Sequence, residues 1–314
     1  MSRKKRWQIY VMDHSSVLGS ILPLVARELG DVSTTDVLVS LGAVKRWQLR
    51  HRPDGRLPGV ALRTLDLGSI LSANHYLRFA TSSYGWKGLV FFHATDPRAN
   101  YGLDALGGLL RTAMYGDGAA FCEHAGIPRS ALLFESPSAT LGSPKHFIAV
   151  DEATRSIVLV IRGTMSLGDT LTDTATASVS FCGGTAHEGF AHAACAVYDS
   201  AAAMLAVELR SRGPGWGLVV TGHSLGAAAA ILFVILLKHL QAPPPHAPLP
   251  SQPTFTAALR GQRAAQAEGL RGFPVACCVF APPPVFCPLT ALPPGAAECI
   301  TSWVHADDLV SRLR

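Results

Sequence analysis

The chain has 314 residues, of which 48% are apolar and 16% charged, and its formal net charge is +5. That charge is too small and too scattered to argue for a nucleic-acid partner, while the length suffices for one large α/β domain with an appendage. The apolar content suits an enzyme that works at a lipid surface. The one basic cluster, Arg3-Lys4-Lys5-Arg6 before Trp7, reads as a solvated tail, with contact to anionic headgroups as the alternative.

Residues 1–60 carry scattered apolar segments and end in a turn-rich stretch, His51-Arg-Pro-Asp-Gly-Arg-Leu-Pro-Gly59, which reads as a boundary before a domain over residues 61–314. The uncharged run Ser15–Ala26 is short and broken by Pro23, and no signal peptide is evident. A helix is expected over Leu67–Ser83, with Leu67, Ile70, Leu71, Leu77 and Phe79 apolar. Phe147–Val150 and Ser156–Ile161 read as strands of a hairpin joined by Asp151–Arg155, the second central in its sheet. Phe190–Leu209 has the apolar spacing of a helix. Gln241–Gly272, with its Ala242-Pro-Pro-Pro-His-Ala-Pro-Leu-Pro250 run, reads as a Pro/Ala-rich surface insertion. Val275–Phe280 and Cys299–Val304 are further strands. Strands alternating with helices imply an α/β fold, a sheet with helices on both faces.

Gly213–Leu237 contains no Lys, Arg, Asp or Glu and would attract a membrane-span assignment. Its continuous apolar part, Ala227–Leu237, covers only about 17 Å as helix against a hydrocarbon core of ~30 Å. It reads instead as a buried strand and a buried helix, so the expected location is cytoplasmic or at the membrane periphery. The seven cysteines (Cys122, Cys182, Cys195, Cys277, Cys278, Cys287, Cys299) are odd in number with no export signal. They read as reduced, small core residues. No Cys or His spacing supports a metal, and no cofactor is implied.

The junction inside that uncharged stretch carries the chemistry. Leu218–Thr221 is a β-branched apolar run, Gly222-His-Ser-Leu-Gly226 follows, and an unbroken helix-forming run begins at Ala227. Strand, G-x-S-x-G, helix is the context of a nucleophile elbow. Gly222 and Gly226 would remove the Cβ atoms that block the tight approach of strand and helix, and His223 and Ser224 would lie on the turn. The helix start would aim backbone N–H groups and its positive dipole end at an oxyanion beside Ser224. The alternative is a Gly/Ser turn before a buried helix.

A serine nucleophile needs a base, an orienting carboxylate and oxyanion donors. Asp307 and Asp308 follow the last strand, where the carboxylate of such a sequence order would lie, or form a solvated acidic turn. Ile161-Arg-Gly-Thr-Met-Ser166 follows an earlier strand, and Thr164 offers both a backbone N–H and a hydroxyl, or is an ordinary strand-end turn.

Taken together, Val160-Ile-Arg-Gly-Thr-Met-Ser-Leu-Gly-Asp-Thr-Leu-Thr-Asp173, His187-Glu-Gly-Phe190, Gly222-His-Ser-Leu-Gly-Ala227 and Asp308-Leu-Val-Ser-Arg-Leu313 resemble, in order and context, the class 3 (fungal-type) lipases. Within that group they are most similar to the sn-1-specific diacylglycerol lipases, and Tyr76-Leu-Arg-Phe-Ala80 with Tyr84-Gly-Trp86 looks like the helix that opens their catalytic domain. The resemblance implies an α/β-hydrolase fold with a mostly parallel sheet, and hydrolysis of a glycerolipid ester, diacylglycerol first. A phospholipase A1 or another lipase of the class is the enzymatic alternative. It implies Ser224 as nucleophile, Asp308 as triad carboxylate, Thr164 and the Leu225 N–H as oxyanion hole, Asp173 as support for the threonine, and a lid at Thr174–Ala186. The family's catalytic histidine follows the aspartate, whereas no histidine follows His305 here. The expectation is therefore a C-terminally incomplete lipase lacking its last strand and helix, active only in trace. A lipase-like protein that binds lipid or a partner without catalysis is the alternative of another class.

Overall fold

The computed structural model describes residues 67–85, 116–137, 142–163, 178–242, 257–304 and 311. The chain divides into two compact units, Met1–Ala61 with Phe91–Asn100, and Leu62–Val90 with Tyr101–Arg314. Every described residue belongs to the second, so the N-terminal segment 1–60 lies outside them.

In chain order the described unit contains α1 (Leu67–Ser82), α2 (Asp117–Ala125), β1 (Leu132–Glu135), β2 (His146–Asp151), β3 (Ser156–Ile161), β4 (Ser178–Phe181), β5 (Gly184–His187), α3 (Glu188–Arg212), β6 (Gly217–His223), α4 (Leu225–Gln241), α5 (Ala257–Gly269), β7 (Val275–Phe280), β8 (Phe286–Cys287), α6 (Ala296–Cys299) and β9 (Ile300–Trp303). The central sheet has the order β1-β2-β3-β6-β7-β9. β1, β2 and β3 pair antiparallel, and β3, β6, β7 and β9 run parallel. β3 is an interior strand, as its unbroken Ser156-Ile-Val-Leu-Val-Ile161 run requires: all six residues are buried.

Side-chain alternation divides this sheet between two cores. Ile148, Val150, Ile157, Leu159, Ile161, Leu218, Val220, Cys277 and Val279 face α3 and α4. Phe147, Ala149, Val158, Val160, Val219 and Phe280 face α1 and α2, where Phe121 and Phe147 stack with centroids 4.5 Å apart. Each Val, Leu, Ile or Phe among them contributes about 1.5–3 kcal/mol on burial. A one-residue slip of any strand would exchange the two sets, so the register is strongly specified. α4 is apolar all round because it is enclosed: Leu225–Ala230 and Leu232–Leu237 are all buried. The uncharged stretch Gly213–Leu237 thus divides into β6, a turn and the first part of α4. α3 is long and apolar enough by length and composition alone to cross a membrane, but here its Phe190, Ala194, Val197, Ala201 and Leu205 stripe fills the sheet core.

α1 is tied down at the β2–β3 turn, where His75 Nε2 lies 2.7 Å from Asp151 Oδ2 and the Tyr76 hydroxyl donates to Thr154 Oγ1 at 3.1 Å. From there it runs along the sheet to Tyr84, at the opposite end of β3.

Two expectations change on folding. Gln241–Gly272 is not uniformly a surface excursion: its second half forms α5, with Ala267 and Leu270 buried against the α3–α4 core. Arg263 of α5 is only 4% exposed and makes a two-pronged ion pair with Asp199 of α3 at 2.5 and 2.6 Å. Tyr198 donates its hydroxyl to the Arg263 carbonyl at 3.2 Å. The proline run dominated the composition and hid this helix. Likewise, most of the segment expected as a lid, Thr174–Ala186, is a paired element from Ser178 onward. It forms the hairpin β4–β5, which pairs with β8 in a second small sheet and buries Phe181 and Ala186. Thr174–Ala177 lie outside the described residues.

The Asp199–Arg263 pair gives a stability prediction. Asp199→Asn leaves a buried guanidinium with a weaker partner and should cost roughly 1–3 kcal/mol, toward the low end because solvent reaches the Asp199 side chain. Asp199→Asn with Arg263→Met should cost less than Asp199→Asn alone. Urea midpoints at unchanged m-value measure both, and a double variant less stable than the single one would refute this account.

Candidate active site

The C-terminal ends of the parallel strands converge on Ser224. β6 runs beside β3 with Ile161 opposite Gly222, and beside β7 with His223 opposite Phe280. Thr221, fully buried on β6, donates its hydroxyl to the Cys278 carbonyl at 2.6 Å, and the Ser224 N–H donates to the Phe280 carbonyl at 2.9 Å. The backbone then reverses at Ser224, with φ 56° and ψ −123°. A non-glycine residue there stores about 1–3 kcal/mol of strain. α4 begins at the next residue, with the Ala227 and Ala228 N–H groups bonded to the Ser224 carbonyl at 3.0 and 3.2 Å. The Ser224 side chain does not cap the helix. It is half-buried, and Leu225 supplies one of the N–H groups that a helix start leaves without an intrahelical acceptor.

The two glycines are required by distance. A Cβ on Gly222 would stand 2.6 Å from the Gly226 carbonyl, and a Cβ on Gly226 would stand 2.2 Å from the Ile161 oxygen and 2.8 Å from the Gly163 nitrogen. All of these are backbone atoms, so nothing flexible could yield. The elbow and the segment leaving β3 are therefore in direct contact, and Gly163, the residue before Thr164, lies against the elbow.

Charges surround that segment. The Arg162 N–H donates to the Lys145 carbonyl at 2.8 Å, and Arg162 Nη1 lies 3.4 Å from Asp117 Oδ2 at the start of α2. Lys145 Nζ bridges Asp117 at 2.9 Å and Glu135 at 2.8 Å. Burial alone would lower the Lys145 pKa, but its hydrogen bonds to Glu135 and Asp117 outweigh this and the net shift is upward. Two cations and two carboxylates thus brace the exit from β3.

Of the residues singled out from sequence, the structure brings together Gly222, His223, Ser224, Leu225 and Gly226, with Gly163 beside them. Thr164, Asp173, Asp308 and His305 lie outside the described residues. β9, the strand before Asp308, lies parallel to β7. His187 precedes α3 at its N-terminus and stacks on Phe190 with centroids 4.4 Å apart. Burial raises the thiol pKa of Cys122, Cys182, Cys195 and Cys277, and that of Cys278 to about 11, against the lowering effect of Trp303. Cys287 departs from the expectation of core thiols, since it is exposed on β8. Among the described residues no His, Cys, Asp and Glu side chains group as a metal site. Sequence reasoning gave no role to Tyr84, whose hydroxyl lies 2.8 Å from His223 Nδ1. The partners are 139 residues apart, and only the Tyr84-Gly-Trp86 motif marked the position.

The strain at Ser224 can be measured without any substrate. Glycine in a helix or strand ordinarily costs about 0.5–1 kcal/mol relative to alanine, but it relieves a φ of +56°. Ser224→Gly should therefore be at least as stable as Ser224→Ala, by up to roughly 2 kcal/mol. If thermal or urea unfolding found the alanine variant clearly more stable, the elbow would not be strained.

Residues 158–313 match the family model described as Lipase (class 3). Over 195 residues the chain is 28% identical to diacylglycerol lipase-beta of Mus musculus, a match that covers 58% of this chain and 29% of that protein. The chain thus spans about three tenths of that relative's length. Among solved structures, the Rhizomucor miehei triacylglyceride lipase superposes with TM-score 0.52 at 18% identity, covering 80% of this chain and 76% of the other. The lipase from Rhizopus microsporus var. chinensis does so with TM-score 0.51 at 18% identity, covering 83% and 76%. At that identity the likeness carries the fold, an α/β-hydrolase sheet with its elbow after β6. Over residues 158–313 the chain belongs to the class 3 lipase family.

Proposed function

We propose that this protein is a serine hydrolase that cleaves carboxylic esters of glycerolipids, with the sn-1 ester of diacylglycerol as the preferred substrate. The observation that carries the reading is Ser224, held at φ 56° on a glycine-flanked turn between a parallel strand and the first turn of a buried helix. That geometry presents a serine hydroxyl beside backbone N–H groups and a positive helix end. The 28% identity to the mouse diacylglycerol lipase-beta supports diacylglycerol over other glycerolipids. Leu67, Ile70 and Leu71, exposed together at helical spacing on α1, support peripheral contact with a lipid surface.

In this mechanism Ser224 Oγ attacks the ester carbonyl carbon while a histidine accepts its proton. The tetrahedral oxyanion is held by the Leu225 N–H and by Thr164, which Asp173 steadies. Asp308 orients the histidine. The histidine then protonates the departing alkoxide, the acyl group remains on Ser224, and water attacks by the reverse sequence to release the fatty acid.

The test uses the protein expressed from its own gene, with any sequence that follows Arg314. A fluorophosphonate probe should label the wild type at Ser224, and Ser224→Ala should abolish labelling. Labelling of the alanine variant at another serine would overturn the nucleophile assignment, and an unreactive wild type would favour a lipid- or partner-binding protein. Diacylglycerol should be cleaved at sn-1 faster than triacylglycerol or phospholipid; the opposite order would move the substrate to another lipase class. Thr164→Val should lower kcat by about 10²–10³ with little change in KM. Near wild-type turnover would remove the threonine side chain from the oxyanion hole.

A further inference from the structure

Tyr84 stands just beyond α1 with only 6% of its surface exposed, and its phenol oxygen touches both halves of the candidate site. It lies 2.8 Å from His223 Nδ1 and 3.4 Å from the His223 carbonyl oxygen. A Cβ on Gly163 would fall 2.4 Å from the same phenol oxygen and 2.6 Å from the His223 carbonyl. One atom from α1's end therefore meets the residue before Ser224 and the residue before Thr164. The two rings meet edge-on, with centroids 5.8 Å apart.

A buried phenol must be hydrogen-bonded or it costs stability. Of the two contacts, the one to Nδ1 is the closer at 2.8 Å; with the phenol as its donor, the His223 ring proton sits on Nε2. Burial raises the Tyr84 pKa above its ordinary value, against the lowering effect of Arg162, so the donor hydrogen stays in place at neutral pH. Tyr84 itself is anchored from outside the site. Its neighbour Gly85 packs so closely on Asp117 that a Cβ there would lie 2.1 Å from the carboxylate. That carboxylate is also the one that holds Lys145 and faces Arg162.

We propose that Tyr84 is a positioning residue. Its phenol, bonded to His223 and packed on Gly163, fixes the nucleophile elbow at the spacing from Gly163 that lets Ser224 and the oxyanion donors act on one carbonyl. Ser224's hydroxyl is set by the backbone at His223, so a phenol that clamps His223 fixes the direction of attack. The inference rests on Ser224 being the nucleophile.

Two measurements on the protein expressed from its own gene test it, with Tyr84→Phe as the variant and Tyr76→Phe as the control. The Tyr76 hydroxyl bonds Thr154 at the other end of β3. In the wild type the His223 ring should show a neutral Nε2–H form with a hydrogen-bonded Nδ1 by ¹⁵N NMR, and Tyr84→Phe should move the Nδ1 resonance downfield. Phosphonylation of Ser224 and kcat for a short-chain ester should both fall roughly tenfold or more in Tyr84→Phe at unchanged KM, since misplacing reacting groups by about 1 Å costs on the order of 10² in rate. Tyr76→Phe should leave both rates unchanged. If Tyr84→Phe lowers thermal stability but reacts at the wild-type rate, the residue is a packing element only and the proposal is wrong. If it slows the reaction while the His223 resonances stay put, the clamp does not act through His223 and the proposal also fails. An unreactive Ser224 in the wild type would instead overturn the nucleophile reading, and with it any catalytic role for Tyr84.

Discussion

The close approach of the start of α4 to the end of β3 is the contact on which the rest of the site depends. The backbone turns at Ser224 within the space left by two missing side chains, and a single methyl group at Gly226 would occupy the position of the Ile161 carbonyl. This proximity sets a helix start and a strand end side by side at the turn that carries Ser224. The strain of φ 56° at Ser224 persists because β6 and α4 on either side are held by many buried contacts, so relaxing one residue would disturb both cores.

Those cores divide the work by strand parity. The face packed on α3 and α4 secures the elbow helix, and the face packed on α1 and α2 brings Tyr84 and Asp117 to the same end of the sheet. α1 is fixed at both ends of β3: His75 and Tyr76 meet the β2–β3 turn, and Tyr84 meets the elbow. The charged cluster of Asp117, Glu135, Lys145 and Arg162 joins α2, β1, the residue before β2 and the residue after β3. Four separate segments thereby converge beside Gly163. A site built at strand ends and helix starts is held more firmly than one carried on loops.

Membership in the class 3 lipase family and the likeness to fungal lipases account for the sheet order and the elbow. They leave substrate choice to features outside the elbow. Fold and chemistry are separable in this way because one α/β scaffold hosts many chemistries, and what distinguishes them lies in the segments around the elbow.

The local patterns were enough to locate β2, β3, β7, the strand–elbow–helix unit and the helices around Leu67–Ser83 and Phe190–Leu209. Each buries an apolar run or stripe whose period is set by its own backbone, and a turn demanding glycine at two fixed positions announces itself in five residues. α2 and β1 gave no such signal, since they are short and only partly apolar. α5 was obscured by the prolines before it: its helix is secured by Arg263 meeting Asp199, a pairing between segments 64 residues apart. The hairpin β4–β5 was expected as a lid from its place between Asp173 and His187 in the family resemblance, and only β8, about a hundred residues later, gives it a further partner strand. The nucleophile candidate was thus determined by sequence, because an elbow is a local backbone problem. The contact between Tyr84 and His223, and the charged brace on Arg162, were decided by tertiary structure alone, because one hydrogen bond or ion pair between distant segments leaves no periodicity in either.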